Sequence, residues 1–138
     1  MCYNGMEEGF SMHIIYPNMG HFEFSSNGNI YLAGENNDSW KNEALAYLQE
    51  HRFQGNVYLS NMEGSEKDVA REYTTNEGFS WHSIMYHNCE AVVYWSNFDI
   101  PWKWKLDKAL SAHVILGSFK HLEFRNIDIL MEETMRRV

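Results

Sequence analysis

Four short apolar segments alternate with stretches of helical periodicity along most of this 138-residue chain, and this alternation constrains the fold more than any single motif. The segments span residues 30–34, 57–59, 91–95 and 113–117, and the first and last of them end in glycine. Continuous apolar runs of this kind are typical of strands buried on both faces of a parallel sheet. Strands that alternate with helices form right-handed βαβ units, so the pattern predicts a mostly parallel sheet.

The stretches between and after these segments predict helices over residues 40–52, 69–89, 105–112 and 126–137. Asp38 and Ser39 offer side-chain oxygens to cap the first helix, and Gly55 is expected to end it. Gly78 is expected to break the second helix.

The predicted fold is α/β, a flavodoxin-like three-layer α/β/α sandwich with a small, mostly parallel sheet. A length of 138 residues suits a single domain, so we assign residues 1–138 to one. Residues 1–28 are expected to form an N-terminal arm or hairpin, within which residues 12–25 are interpreted as two short strands or an extended arm.

The composition indicates an acidic globular chain with a formal net charge of −8. Such a surface repels phosphate backbones, so we expect no nucleic-acid polymer as a partner. The opening residues lack the basic and apolar regions of a signal peptide, and the longest apolar runs are too short to span a bilayer. Cys2 and Cys89 make no disulfide framework. We therefore expect a cytoplasmic protein with no membrane partner.

Ligands of open α/β sheets bind beyond the carboxyl ends of the strands, where the strand order reverses. That rule selects residues 34–40, 59–62, 95–107 and 117–126. In the first of these loops, the small Gly34 would let a ligand approach the backbone beside the free N–H groups of the following helix. The loop is neither a Walker loop nor a dinucleotide fingerprint, so an ordinary strand-to-helix turn is the competing interpretation.

Asp99 and Asp107 are a candidate catalytic pair. Two carboxylates flanking one pocket can act as nucleophile and acid, which is what cleavage of a glycosidic bond requires. Their spacing fits a loop residue and a first-turn helix residue on the same rim. Acids near helix starts are also common for purely structural reasons, because they suit the helix dipole.

The remaining candidates are histidines, a cysteine and aromatic side chains. The spacing of His82, His87 and Cys89 does not suit a metal, so we predict no metal site, and Cys89 is expected to be an inert buried thiol. Aromatic side chains near the predicted site can stack a nucleobase, or they can serve core and interface packing. They are Tyr31, Trp40, Trp81, Trp95, Phe98, Trp102 and Trp104.

Four segments, taken in order, resemble the nucleoside 2-deoxyribosyltransferase-like family over about residues 14–133. The segment IIYPNMGHFEFSSNGNIYLAGENNDSWKNEALAYL is similar to that family's Tyr-Pro arm, first strand, polar loop and Trp-initiated helix. GFSWHSIMYHNCEAVVYW resembles the helix that begins with Trp-Glu and leads into an apolar strand. DIPWKWKLDKALSAHVILG resembles the proline loop, catalytic helix and next strand, and FRNIDILMEE resembles the closing pattern.

The resemblance implies a carboxylate nucleophile that attacks the anomeric carbon of a nucleoside and expels the base. By position this nucleophile falls on Asp107, an aspartate in place of glutamate, whereas an alignment without a gap places Trp104 there. Asp99 takes the place of the second acid. The resemblance also implies a homo-oligomer without a cofactor. The substrate-binding positions are Gly34, Asn36, Asn37, Trp40, Asn61, Trp81, His82 and Asn126.

Three functional hypotheses remain open at this point. The first is cleavage or base exchange at the N-glycosidic bond of a (deoxy)nucleoside or nucleotide. The second is a nucleotide-binding relative that has lost turnover and sequesters or senses its ligand, as the substituted catalytic glutamate and Trp-Glu pair suggest. The third is a partner-binding module that uses Trp102 and Trp104 as an interface.

Overall fold

A computed structural model describes residues 12–17, 19 and 23–138, which form a five-stranded parallel sheet with helices on both faces. The strands are β1 (His13–Ile15), β2 (Asn29–Leu32), β3 (Asn56–Leu59), β4 (Ala91–Ser96) and β5 (Val114–Ser118). The α-helices in this part of the chain are α1 (Trp40–Glu50), α2 (Trp81–Asn88), α3 (Trp102–Leu110) and α4 (Ile127–Arg136). A 3₁₀ turn (Asn37–Ser39) precedes α1.

The predicted flavodoxin-like three-layer sandwich is confirmed. The strand order is β1-β3-β2-β4-β5, and every pair is parallel. One core cluster packs α1 and α4 against residues such as Ile30 and Val93 on one face of the sheet. A second cluster packs α2 and α3 against Tyr31 and Val92 on the other face. None of the helices in the described ranges is long and apolar enough to cross a membrane.

The N-terminal segment, predicted to form two short strands or an extended arm, contains one strand among its described residues. Its one described strand, β1, pairs in parallel with the outer edge of β3. Residues 1–11, 18 and 20–22, which include Cys2 and part of the predicted arm, lie outside the described residues.

The predicted helix over residues 69–89 is wrong in its first half, because only α2 is helical. Side chains that bond their own backbone favour turns and caps there. Asp68 accepts a bond from the N–H of Ala70 at 3.0 Å, and Ser80 caps α2 by accepting from the N–H of Ser83 at 3.1 Å. Gly78 lies between them at φ +89°. Residues 69–80 therefore form a loop that brings charged side chains over the sheet.

The termini of α1 also differ from prediction. Arg52, in the left-handed region, closes the helix, and the N–H of Phe53 donates to the carbonyl of Leu48 at 3.0 Å. The prediction that Gly55 ends this helix is therefore wrong. Ser39 makes no side-chain cap, contrary to prediction, and the side chain of Asp38 lies outside the described part of the structure.

Candidate functional site

A cleft of about 280 Å³ lies at the point where the strand order reverses, between the carboxyl ends of β2 and β4. The chain leaves β2 toward β3 on one side and returns to β4 on the other, so the two following loops diverge and leave a crevice. We refer to it as the switch-point cleft. Its lining residues are Gly34, Glu35, Asp68, Arg71, Glu72, Tyr94, Pro101, Lys103 and Trp104.

Two stacked aromatic rings form one wall of this cleft. The rings of Tyr94 and Trp104 lie 4.7 Å apart and nearly parallel, at 12°. Trp104 is only 2% exposed. Tyr94 also packs onto Gly34, which has a φ of +91°, so closely that a β-carbon there would lie 2.3 Å from its ring. Tyr94 therefore occupies the space into which a side chain at Gly34 would project, while Gly34 itself lines the cleft.

Side chains of both charges line the rest of the cleft. The guanidinium carbon of Arg71 lies 5.1 Å from the centre of the Trp104 ring, a cation–π contact that fixes it against the wall. Lys103 makes no ion pair within the described part of the chain. The carboxylates are Glu35, Asp68 and Glu72. This mixture suits a polar ligand that carries both hydrogen-bond donors and acceptors.

The two aspartates predicted to be catalytic do not line this cleft. The Asp107 carboxylate accepts a hydrogen bond from Arg71 at 3.0 Å and is 21% exposed. Asp99 is 83% exposed and lies 3.5 Å from the ammonium of Lys120. The structure thus gives each carboxylate a different cationic partner, and the α3 side chains that line the cleft are Lys103 and Trp104.

His82 and Trp81 lie behind the aromatic wall, in the core between α2 and the sheet. Burial, reinforced by the charge of Arg71, lowers the pKa of His82 to about 3. Its ring is therefore neutral at physiological pH; Nδ1 bonds the Tyr31 hydroxyl at 3.1 Å, and Nε2 lies 3.9 Å from Asp107. The Trp81 indole donates to the Leu59 carbonyl at 2.8 Å. Both side chains are thus held in the core and do not line the switch-point cleft.

The other predicted substrate-binding residues separate into three places. Asn37 and Trp40 line a smaller cleft of about 100 Å³ that shares Glu35 and Tyr94 with the switch-point cleft. Asn36 and Asn61 line a third cleft, of about 220 Å³, between α1 and residues 61–66. Asn126 caps α4 by accepting a hydrogen bond from Ile129 at 2.9 Å.

A buried lysine joins the ends of β2 and β3 beside the third cleft. Lys41 is 1% exposed, and its ammonium donates to the Gly34 carbonyl, to Ser60 Oγ at 2.8 Å and to Asn61 Oδ1 at 2.8 Å. Burial lowers its pKa from 10.5 to about 7, although Asp68 and Glu35 oppose the change. Its three protons are all bonded to neutral oxygens.

Because of this lysine, stability is expected to rise with pH just above neutrality. The unfolded chain keeps the proton of Lys41 up to about pH 10.5 whereas the folded chain releases it near 7, so the unfolded state binds more protons in between. The free energy of unfolding, relative to a Lys41→Met variant, should increase by about 1.4 kcal/mol per pH unit. Denaturant titrations from about pH 7 to 9 measure this difference, and the contribution of Cys89 cancels because both proteins contain it.

The exposed Lys105 supplies the control for that experiment. A Lys105→Met variant should follow the wild-type pH dependence, because it removes an exposed side chain and leaves the buried Lys41 in place. Parallel pH curves for the wild type and Lys41→Met would contradict the assignment.

Neither Cys89 nor the metal-ligating side chains of the described residues form a reactive site. Cys89 is buried, and burial raises the pKa of its thiol well above the ordinary value. Within residues 12–17, 19 and 23–138, no three His, Cys, Asp or Glu side chains are grouped to hold a metal ion.

Sequence reasoning missed most of the charged lining of the switch-point cleft. Arg71 and Glu72 resembled the solvated face of a helix, so no signal distinguished them. Lys41 did carry a signal, because it lies on the same helical stripe as Ala44 and Leu48, where a charged residue is unexpected.

No known protein family, characterised protein or solved structure matches this chain.

Proposed function

We propose that the chain binds a nucleoside or nucleotide in the switch-point cleft and sequesters or senses it without turnover. The observation that carries this proposal is the pair of side chains on α3. Trp104 lines the cleft, whereas Asp107 does not line it and has its carboxylate paired with Arg71. A nucleophile has to approach its target carbon to about 3–3.5 Å, and a carboxylate that is paired with an arginine and does not line the cleft is poorly suited to that.

The lining offers partners for each part of such a ligand. Arg71 and Lys103 suit phosphate oxygens or the carbonyl groups of a base. Glu35 and Asp68 suit sugar hydroxyls, which acidic side chains also bind in dinucleotide sites. A volume of about 280 Å³ is near the lower end for small-molecule sites, which favours one nucleoside unit over a dinucleotide. The sequence resemblance described above supports the same ligand class.

Thermal denaturation with a panel of nucleosides and nucleoside monophosphates tests this proposal. A ligand at about a hundred times its Kd should stabilise the protein by about 2.7 kcal/mol and raise Tm by several degrees. Arg71→Ala should abolish most of this increase, because it removes the guanidinium that the cleft presents.

Arg125 provides the matched control, since it is exposed and does not line the cleft. Arg125→Ala should leave the ligand-induced increase in Tm unchanged. If no compound in the panel stabilises the wild type, or if both arginine variants respond alike, the proposed site is wrong.

Cleavage of the N-glycosidic bond is a second candidate function. Three carboxylates line the cleft, and Asp107 is one ion pair away and partly exposed. In this reaction a carboxylate oxygen bonds to the anomeric carbon as the carbon–nitrogen bond breaks. A protonated carboxyl group of the cleft gives the leaving base its proton, and water or another base then bonds to the anomeric carbon, breaks its bond to the carboxylate and returns a proton to the cleft.

Product analysis on the same panel separates the two functions. Incubation with and without an acceptor base should give free or exchanged base if the chain is an enzyme, and Asp107→Asn should then abolish product while ligand stabilisation persists. Stabilisation without product supports binding alone. Product formation that survives Asp107→Asn would assign the nucleophile to Glu35, Asp68 or Glu72 instead.

A further inference from the structure

Helix α3 carries an apolar stripe on its outer surface. Trp102, Leu106 and Leu110 follow one another at i, i+4 and i+8, so they lie on one side of the helix, and all three are exposed. Trp102 is 75% exposed, whereas each of the other four tryptophans in the chain is buried. The side of α3 that faces the sheet is anchored by Trp104, so the outer stripe takes no part in the core.

We call the surface formed by Trp102, Leu106 and Leu110 the α3 face. Phe98 and Phe119 are also exposed, but they lie toward the other face of the sheet, since Phe98 lines the second cleft with Trp40 and Phe119 meets Trp95 edge-on at 5.0 Å. An exposed apolar stripe that includes a tryptophan is typical of an interaction site.

Lysines surround the stripe in a chain that is otherwise acidic. At 100° per residue, Lys103 and Lys105 flank it on opposite sides, whereas Lys108 lies about 160° from the centre of the stripe, near the side that Trp104 turns to the sheet. Two lysines therefore border the stripe in a chain whose formal net charge is −8. Of the nearby acids, Asp107 is paired with Arg71 and Asp99 with Lys120, while Glu123 is exposed.

In place of the expectation from the sequence that the protein has no membrane partner, we propose that the α3 face binds an anionic lipid surface. Basic side chains beside exposed Trp and Leu match the chemistry of helices that lie in the membrane interface, where each lysine strengthens attraction to anionic headgroups. The acidic side chains elsewhere give the chain a formal net charge of −8. At physiological salt, the repulsion between exposed acids and anionic headgroups is screened beyond about 8 Å. A helix that lies on the surface needs none of the length required to cross a bilayer.

Shape and charge favour this partner over a peptide or a second copy of the chain. Trp102, Leu106 and Leu110 line none of the clefts described above, and a docked peptide needs such a groove. A symmetric contact between two copies would bring the lysines of one stripe against those of the other. A bilayer needs no groove and supplies the opposite charge.

The fluorescence of Trp102 tests the proposal with the full chain. Phosphatidylcholine vesicles containing phosphatidylserine should shift its emission to the blue and protect it from acrylamide, whereas pure phosphatidylcholine vesicles should do so weakly. Trp102→Phe should remove the change in emission while leaving co-sedimentation detectable. Lys105→Gln should weaken partitioning about fivefold, and Leu110→Ser should weaken it further.

Lys67→Gln and Ile129→Ser, at exposed positions outside the α3 face, are the matched controls and should bind as the wild type does. The proposal is overturned if anionic vesicles give no binding at low salt, or if the α3-face variants bind like the controls. Protection of Trp102 that depends on protein concentration and not on vesicles would also overturn it, because the face would then be a contact between copies.

Discussion

Replacing Trp104 with alanine is expected to lower the free energy of unfolding by about 3–5 kcal/mol, the usual cost of removing a large aromatic side chain from a core. Trp104 is 2% exposed, stacks on Tyr94 and meets His82 edge-on at 5.3 Å. Its loss leaves a cavity between α3 and the sheet and takes away the ring on which Arg71 rests. Denaturant titration at neutral pH measures the change, with an unchanged m-value as evidence that the unfolded state is unaffected.

Trp102 is the matched control, because it is a tryptophan on the same helix but is exposed and not buried. It is 75% exposed, so Trp102→Ala should change stability by no more than about 0.5 kcal/mol. Similar losses from the two variants would mean that α3 does not pack on the sheet through Trp104.

The same Trp104 variant also distinguishes the two candidate functions. If the cleft binds its ligand without turnover, opening the wall frees Arg71 and should weaken the ligand-induced rise in Tm. If Asp107 is a nucleophile, removing the indole leaves more room between that carboxylate and the ligand. The rate of base release should then fall less than the affinity for the ligand does. Folded Trp104→Ala protein, assayed below its transition temperature, provides both measurements.

The fold was predictable because short stretches of sequence determine which residues form its strands. Residues 91–95 form an unbroken apolar run, and such a run fits a strand buried on both faces whatever its neighbours are. The strand β1 was harder to assign, since three residues on a sheet edge carry little periodicity. Residues 69–80 were assigned to a helix, whereas the hydrogen bonds that Asp68 and Ser80 accept from nearby backbone N–H groups favour turns and a cap.

The candidate site was predictable only in part, because its contacts join residues far apart in the chain. The rule for open α/β sheets located the cleft by its loops, which holds for Gly34 and Pro101. The pairing of Arg71 with Asp107 spans 36 positions and follows no local pattern. Whether Asp107 or Trp104 lines the cleft depends on the rotation of α3 against the sheet, and one-dimensional spacing does not fix that rotation.

Gly34→Ala is expected to destabilise the protein by about 2–4 kcal/mol and to disturb the cleft. The backbone at Gly34 has a φ of +91°, where a β-carbon costs about 1 kcal/mol. That β-carbon would lie 2.3 Å from Tyr94 Cε1, and overpacking of this kind costs about 1–3 kcal/mol. Tyr94 cannot simply turn away, because its ring is stacked on Trp104. The displaced ring would enter the cleft, so the response to ligand should weaken together with stability.

Gly64 separates the cost of the backbone conformation from the cost of overpacking. It has a φ of +82°, but no atom lies within 4 Å of an added β-carbon. Gly64→Ala should therefore show the backbone cost alone, about 1 kcal/mol, and no change in ligand response. In a Tyr94→Ala background, Gly34→Ala should likewise lose its packing cost and resemble Gly64→Ala, which a double-mutant cycle measures directly. Equal losses for the two glycine variants in the wild-type background would show that Tyr94 does not lie against Gly34. The aromatic wall, and with it the proposed binding site, would then have to be redrawn.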